Sequence, residues 1–384
     1  MKIRKARKRV VFLLLFSAIL SYFTVGPVVQ SAFSEDPQHA EGEHTNQDAA
    51  HAKEGHESHA HQEGDHHYDP ATVIMEHILD AHEWHILDLP NGTPVSVPLP
   101  WILYSSENGL DFFFLHAHSH EEMHRELDKK GYYIDQQTNK VKTASGGYVF
   151  DFSITKAVLH MILIGILMIW VFLSVAKGYK KRPNEAPRGI QSLFEPIIVF
   201  VREDIARPNL QERHERFMPY LLTVFFFIWF SNLLGLTPLN SNIMGNISVT
   251  AALAVVTFFI TQASANKDHW QHVFWFPGVP VPVKFIMLPV EFIGLFTKPF
   301  ALMVRLFANI TAGHFMVISL VTMIFIMSNW GESAAGGFGF APVSIAFTVF
   351  IMFLELLVAV LQAYVFTILS AVFIGQATEA HHDH

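Results

Sequence analysis

Glu291, Lys298 and Arg305 follow one another at intervals of seven in an otherwise apolar stretch. On a helix of 3.6 residues per turn, seven residues drift by only about 20 degrees, so the three share one face. Asn309, four residues further on, joins that stripe. Ionisable groups at membrane depth cost several kcal/mol each and mark an ion path, a partner charge, or both. Arg305 is the deepest of them, set in Ala301-Leu302-Met303-Val304-Arg305-Leu306-Phe307. A guanidinium keeps its charge at any physiological pH. It calls for an anion that comes and goes. Glu291 and Lys298 read equally well as an interfacial ion pair or as groups snorkelling from a helix end.

His314 lies nine residues beyond Arg305, a rotation of about 180 degrees on a straight helix, so it looks towards a different neighbour. In the next apolar stretch Glu355 and Gln362 are again seven apart. If the two stretches form an antiparallel hairpin, Glu355 comes towards His314 and the two make a proton-exchanging pair. Gln362 also fits a plain hydrogen bond between packed helices.

The elements that must carry these residues are of unusual length. Pro289 to about Asn329 is roughly 40 residues, or about 60 Å as a helix, whereas the hydrocarbon layer is about 30 Å thick. Ala341 to about Gly375 presents the same mismatch, and the Gly-rich link Gly331 to Gly339 makes the pair a hairpin. Irregular backbone cannot face lipid, so steep tilting, or bending near Pro299, is how such helices fit.

The rest of the chain agrees with a membrane protein. Of 384 residues, 51% are hydrophobic and 16% charged, with 35 Phe, a mixture foreign to a single soluble domain. The net charge of -8 conceals a division: acidic residues and His crowd the first third, while Lys and Arg gather at the extreme N-terminus and between about 177 and 216. Ile154 to Ala176 is of spanning length, and Lys177, Lys180, Lys181, Arg182 and Arg188 directly after it mark a cytoplasmic flank, with the N-terminal side outside. Gly189 to Arg216 mixes apolar residues at helical spacing with charges such as Glu195, Arg202, Glu203, Asp204 and Arg207 and reads as an interfacial helix. Phe217 to Leu236 and Ile247 to Ser264 are further spans, joined by an uncharged exterior turn.

Ahead of these, basic residues up to Arg9, an apolar run from Val10 to about Gly26 and small residues at Ser31 and Ala32 have the order of a secretory signal, the other reading being a membrane anchor. Ser34 to about Asp69 lacks large apolar residues and is expected to be a disordered exported tail. Its six histidines from His51 to His67 read as a solvated low-complexity tract or as a weak metal binder. Between Trp84 and Leu115, β-prone runs around Pro90-Asn91-Gly92 and Asn108-Gly109 predict a small β-rich module. Within it His116, His118 and His120 alternate as on a strand. The expected divisions are 1–32 signal, 33–83 His-rich segment, 84–150 exported module, 151–188 first membrane helix with its basic flank, 189–216 interfacial helix, 217–284 two membrane helices and loop, and 285–384 tilted hairpin and tail.

Several classes of function are excluded or weakened. With no Cys, disulfides, thiolate metal sites and thiol catalysis have no material. There is no phosphate-cradling Gly-Lys-Ser/Thr loop, so nucleotide chemistry is not expected here, and neither is any cofactor or nucleic acid. A divalent-metal transporter with a His-rich tail is the rival, but its membrane helices should carry His and acidic ligands four apart, and Ile164 and Ile318 stand four residues after His160 and His314.

The run Glu291-Phe-Ile-Gly-Leu-Phe-Thr-Lys298-Pro-Phe-Ala-Leu-Met-Val-Arg305-Leu-Phe-Ala-Asn309-Ile-Thr-Ala-Gly313-His314 resembles the signature helix of subunit a of the rotary F-type ATP synthase. Leu361-Gln362-Ala363-Tyr364-Val365-Phe366 is similar to its final helix, with supporting runs at 231–238 and 245–250. The resemblance covers about 150 to 376. It implies an all-α membrane protein of about five membrane helices including a long tilted C-terminal hairpin, beside the interfacial helix and the small exported module. It further implies that Arg305 is the essential stator arginine facing a rotor ring of c subunits, that Asn309 and Gln362 line the contact beside it, and that His314 and Glu355 line an aqueous half-channel. In some bacterial relatives the acid and the His occupy each other's positions. The partners implied are the c-ring, a subunit b stalk and the lipid of a bacterial inner membrane.

Overall fold

The computed structural model describes residues 83–378, apart from short stretches at 89–93, 108, 116–119, 136–139, 144, 146, 183–184, 238–242, 276–279 and 329–333. The expected signal and His-rich segments therefore lie outside the described residues, as do His116 and His118.

The N-terminal module is built from short strands. β1 (Glu83–Asp88) pairs antiparallel with β2 (Pro94–Pro98), and the Pro90-Asn91-Gly92 turn signal lies outside the described residues. β3 (Pro100–Ser105) lies between β4 (Gly109–Phe114) and β7 (Val149–Asp151), both antiparallel to it. Helix α1 (His120–Lys129) and the hairpin of β5 (Tyr132–Asp135) and β6 (Lys140–Thr143) complete it. Trp101, Leu103, Leu115, Leu127 and Tyr132 are buried together, and the Tyr132 hydroxyl donates to the Asp111 carboxylate. His120 opens a helix rather than extending a strand, which ends the alternation expected for the three histidines.

Among the described residues, five helical stretches are long and apolar enough to cross a membrane. The first, α2 (Lys156–Lys181), is capped by Thr155, whose Oγ1 accepts from the Val158 N–H at 3.5 Å. Its buried residues Ile164, Met168, Val171 and Val175 recur every three or four positions, while Ile162, Ile166, Ile169 and Trp170 face outward. One stripe is packed and the rest is left for lipid. After the basic flank come α3 (Ile190–Phe200), a π-helical turn at Val201–Ala206, α4 (Arg207–Leu210) and α5 (His214–Gly235). The charges of the expected interfacial stretch satisfy one another: Glu203 accepts from Arg202 Nε at 2.8 Å and from Arg207 Nη1 at 2.7 Å. Phe194 of α3 meets the rings of Phe226 and Phe230 edge-on, tying it to α5. Helix α6 (Ile247–Ser264) matches its expected bounds, and Asn246 explains its start, Oδ1 accepting from the Ser248 N–H at 2.9 Å. A short α7 (Lys267–Trp275) follows.

The C-terminal hairpin is longer than expected. α8 (Val281–Met327) has 47 residues and α9 (Ala334–Thr378) has 45. Pro289 and Pro299 both sit inside α8 instead of ending it, which is tolerable where neighbouring helices shelter the freed carbonyls. The expected Gly-rich link is largely helical too. Gly337 there is buried, and a Cβ on it would press on the Ser328 side chain, so the glycine serves close helix approach rather than a turn. At 1.5 Å per residue α8 is about 70 Å long, more than twice the hydrocarbon thickness of about 30 Å, so the pair lies steeply inclined.

α8 packs on α9 and α6, and α9 packs on α5, α6 and α4. α9 changes character along its length. Its first half exposes Phe338, Phe347, Phe350, Phe353 and Leu357, whereas Ala363, Phe366, Ala371, Ile374 and Ala377 are buried in the main core. Small residues allow that approach, and Gly375 meets the Asn209 backbone carbonyl directly.

Candidate functional site

Four contacts fix the register of the hairpin. Lys298 Nζ donates to Gln376 Oε1 at 3.3 Å, the Glu355 carboxylate lies against Gly313, Ser344 Oγ donates to the Leu320 carbonyl, and Gly337 lies against Ser328. Glu355 and His314 are thereby brought together. They line one cavity with Asn309 of α8, Val358 and Ala359 of α9, Ser231 and Asn232 of α5, and Ile243 and Met244 of the turn before α6. The convergence expected from the hairpin is present, and its enabling residue is Gly313: a Cβ there would overlap the Glu355 carboxylate.

The cavity wall carries polar groups from both α5 and α9. Asn232 Nδ2 donates to the Ala359 carbonyl at 3.3 Å, tying α5 to α9 at its wall. Among the described residues, Ser231 Oγ, Asn232 Oδ1 and Gln362 Oε1 are buried without a protein partner. Buried polar atoms lose about 1–3 kcal/mol each when left unpaired, and of these three residues Ser231 and Asn232 line the cavity, where they offer partners to water. Neither His314 nor Glu355 forms a hydrogen bond or ion pair with another described residue, so both remain available to water. The charge of Lys156, at the start of α2, reaches His314.

Arg305 is exposed on the outer side of α8, between the buried Leu302 and Leu306. No carboxylate of the described residues is within ion-pair distance of it. Its level on the hairpin falls between the Lys298–Gln376 and Gly313–Glu355 contacts, and Gln362 of α9 falls in the same interval. Gln362 is buried and makes no hydrogen bond to Arg305 among the described residues. Asn309, one turn beyond Arg305, reaches the cavity wall.

Towards the other end of α8, Glu291 is exposed and Lys298 is half-buried. Lys298 is held to α9, its Nζ lying 5.4 Å from the Phe373 ring centre as well as on Gln376. His269 of α7 belongs to this group. Burial pushes its pKa below the ordinary value, Lys298 and His272 push it the same way, and the Glu291 charge opposes them. Its Nε2 is buried and makes no hydrogen bond among the described residues. His269 escapes a reading of α8 and α9 because it arrives from a polar nine-residue helix. Asn232 and Ser231 escape it as well, since they look like ordinary polar residues in a membrane helix until α9 is laid against them.

A bundle of membrane helices with a cavity lined by His314 and Glu355 on one flank and an uncompensated cation beside it is that of a polytopic ion-path protein. Its family follows from comparison with known proteins. Residues 158–375 match the family model described as ATP synthase A chain, and the chain belongs to that family. It is 49% identical over 239 residues to "ATP synthase subunit a" of Chloroherpeton thalassium, covering 61% of this chain and 69% of that one. Similarity to "ATP synthase subunit a 2" of Chlorobaculum tepidum is 48% over 240 residues, 61% of this chain and 65% of the other. With "ATP synthase subunit a" of an Anaeromyxobacter species it is 38% over 327 residues, 82% and 71% of the two chains. Residues 73–158 separately match a family described as Domain of unknown function (DUF8433), which takes in the β1–β7 module and the first residues of α2. Family and fold together make the chain a multi-pass proton-translocating subunit of an ATP synthase membrane sector.

Proposed function

We propose that this chain is the stator side of a rotary proton path, in which two half-channels open on opposite faces of the membrane and meet a ring of c subunits at Arg305. The observation that carries the proposal is the place of Arg305: an exposed cation with no described carboxylate in range, between the His314–Glu355 cavity and the Glu291–Lys298–His269 group. A partner carboxylate arriving from outside the chain is what such a charge lacks. Arg305 favours the ionised form of each passing ring carboxylate and bars protons from leaking directly between the half-channels.

In this scheme the cavity of Asn309, His314, Glu355 and Asn232 is the half-channel on the exported side, because the basic flank after α2 puts the α5–α6 turn and the α8–α9 turn outside. A proton taken up there moves between His314 and Glu355 through intervening water, and on to a ring carboxylate. The neutral acid then rides through lipid and releases its proton on the side of Glu291, Lys298 and His269. Gln362 helps to line the contact with the ring. Each charge crossing gains about 2.3 kcal/mol per 100 mV, so several must cross for one ATP, which is made elsewhere in the complex. The chain itself does no nucleotide chemistry. Further partners under this reading are the subunit b stalk and the lipid of a bacterial inner membrane, with the N-terminal region periplasmic and led there by the signal at 1–32. The division of the exported part into a His-rich segment at 33–83 and a folded module at 84–150 belongs to the same proposal.

Nothing among the described residues favours the divalent-metal carrier, as no group of three or more His, Asp or Glu there could hold an ion. The test is Arg305→Ala in the assembled complex. ATP-driven proton pumping into vesicles should disappear while assembly persists, and pumping retained at the wild-type rate overturns the proposal.

A further inference from the structure

The sheet β4–β3–β7 has two unlike faces. Trp101, Leu103, Phe113 and Val149 point to the side where α1 and the β5–β6 hairpin close the module's own core. The antiparallel register sends their neighbours the other way. Tyr104 stands opposite Leu110 and Phe150, and Ile102 opposite Phe112, with Phe114 at the end of the row. On that second face Tyr104 is 46% exposed, Leu110 68%, Phe112 60%, Phe114 53% and Phe150 62%. An apolar surface this continuous marks an interaction site.

What covers it follows from where the sheet is fixed. Its ladder does not stop at β7. The Phe152 N–H donates to the Ile102 carbonyl at 2.8 Å and the Ile154 N–H to the Pro100 carbonyl at 3.1 Å, while Ser153 Oγ accepts from the Ile102 N–H at 3.1 Å. Thr155 then caps α2, the first membrane helix. No linker separates strand from helix, so the Pro100–Phe114 end of the sheet stands at the bilayer surface. The opposite side of the module is wet, with Glu122, Arg125, Asp128, Lys129 and Lys130 of and after α1 exposed.

We propose that the β4–β3–β7 face lies in the headgroup boundary of the leaflet that α2 enters at its N-terminus, so that lipid is its occupant. An element with a charged side and an uncharged aromatic side lies in that boundary. Protein interfaces carry about one hydrogen bond per 100–200 Å², whereas the only polar side-chain atom among these residues is the Tyr104 hydroxyl. Tyrosine at the boundary keeps its ring in lipid and its hydroxyl in water. The module is thus a foot resting on the membrane beside the proton path.

The chain has no cysteine, so Phe112→Cys and Phe150→Cys each carry a single nitroxide label, with Lys129→Cys as the water-facing reference. In the assembled complex, reconstituted into phosphatidylcholine–phosphatidylglycerol vesicles, collisions with oxygen and with a water-soluble nickel chelate are measured by power saturation. Labels at 112 and 150 should favour oxygen several-fold more than the label at 129. Nickel-dominated collisions at both, meaning a face in water, overturn the proposal, and so does exclusion of both reagents, meaning a face against protein. Either site reads the outcome if the other variant fails to insert.

Discussion

The Glu355 carboxylate occupies the place where a side chain on Gly313 would stand, one residue before His314. The acid of α9 thus reaches the cavity across a gap that only glycine leaves open. Position 313 accordingly controls where the carboxylate sits without itself titrating.

Gly313→Ala should therefore leave assembly intact, because the atom it strikes ends a flexible side chain, yet push Glu355 out of place. Moving an acid–base group by about 1 Å costs roughly tenfold to a hundredfold in rate. ATP-driven acidification of vesicles containing the variant should fall by about that factor. An unchanged rate would show that the position of Glu355 is immaterial.

Asn232 is both cavity wall and tether, and Asn232→Ala removes the bond to the Ala359 carbonyl. The loss is about 1 kcal/mol, as for other hydrogen bonds between membrane helices. A lower midpoint of thermal unfolding in detergent is the expected readout, measured against the wild-type complex.

His269 gives the molecule a pH response with a defined sign. Its pKa in the fold is lowered from 6.5, by burial first, then by Lys298 and His272, against the opposing Glu291. As pH falls below 6.5 the unfolded chain takes up the proton and the folded one does not, so this contribution to stability is present above 6.5 and declines until the lowered folded value is reached. Thermal midpoints followed from pH 7.5 to 5 should drop less for His269→Gln than for the wild type. Parallel curves would remove His269 from this role.

Two glycines in helix contacts should respond differently to alanine. At Gly178 the obstacle is the amide end of Gln191, which can rotate away, whereas at Gly375 it is the Asn209 backbone carbonyl. Gly375→Ala should cost about 1–3 kcal/mol through overpacking and reduce the yield of folded protein. Gly178→Ala should be close to neutral in the same expression and melting assays.

Much of this was legible in the chain, in the places where a local signal is strong. α6 could be read to the residue because Asn246 caps it and an uncharged, mainly apolar run follows up to Ser264. The hairpin was legible from its polar spacing, and so was the meeting of His314 with Glu355. The apolar stretch was read from Pro289, whereas the helix begins at Val281 with Pro282 in its first turn and Pro289 absorbed within. Gly337 looks like part of a link until the Ser328 contact accounts for it. β3 was missed because Pro98 and Pro100 stand at its start, and α1 because a ten-residue helix with only Met123 and Leu127 apolar has no stripe long enough to stand out. The contributions of Asn232, Gly313 and His269 depend on which helices touch at which level, and a one-dimensional pattern does not carry that.

The inclination of α8 has a consequence for transport. A helix about 70 Å long crossing about 30 Å of hydrocarbon descends only about 0.6 Å per residue, so Glu291 and Arg305 differ by about 9 Å in depth but stand about 19 Å apart in the plane of the membrane. A straight vertical shaft cannot serve both. Whatever is delivered at one and collected at the other has to be ferried sideways, and the slope of a single helix sets the length of that crossing.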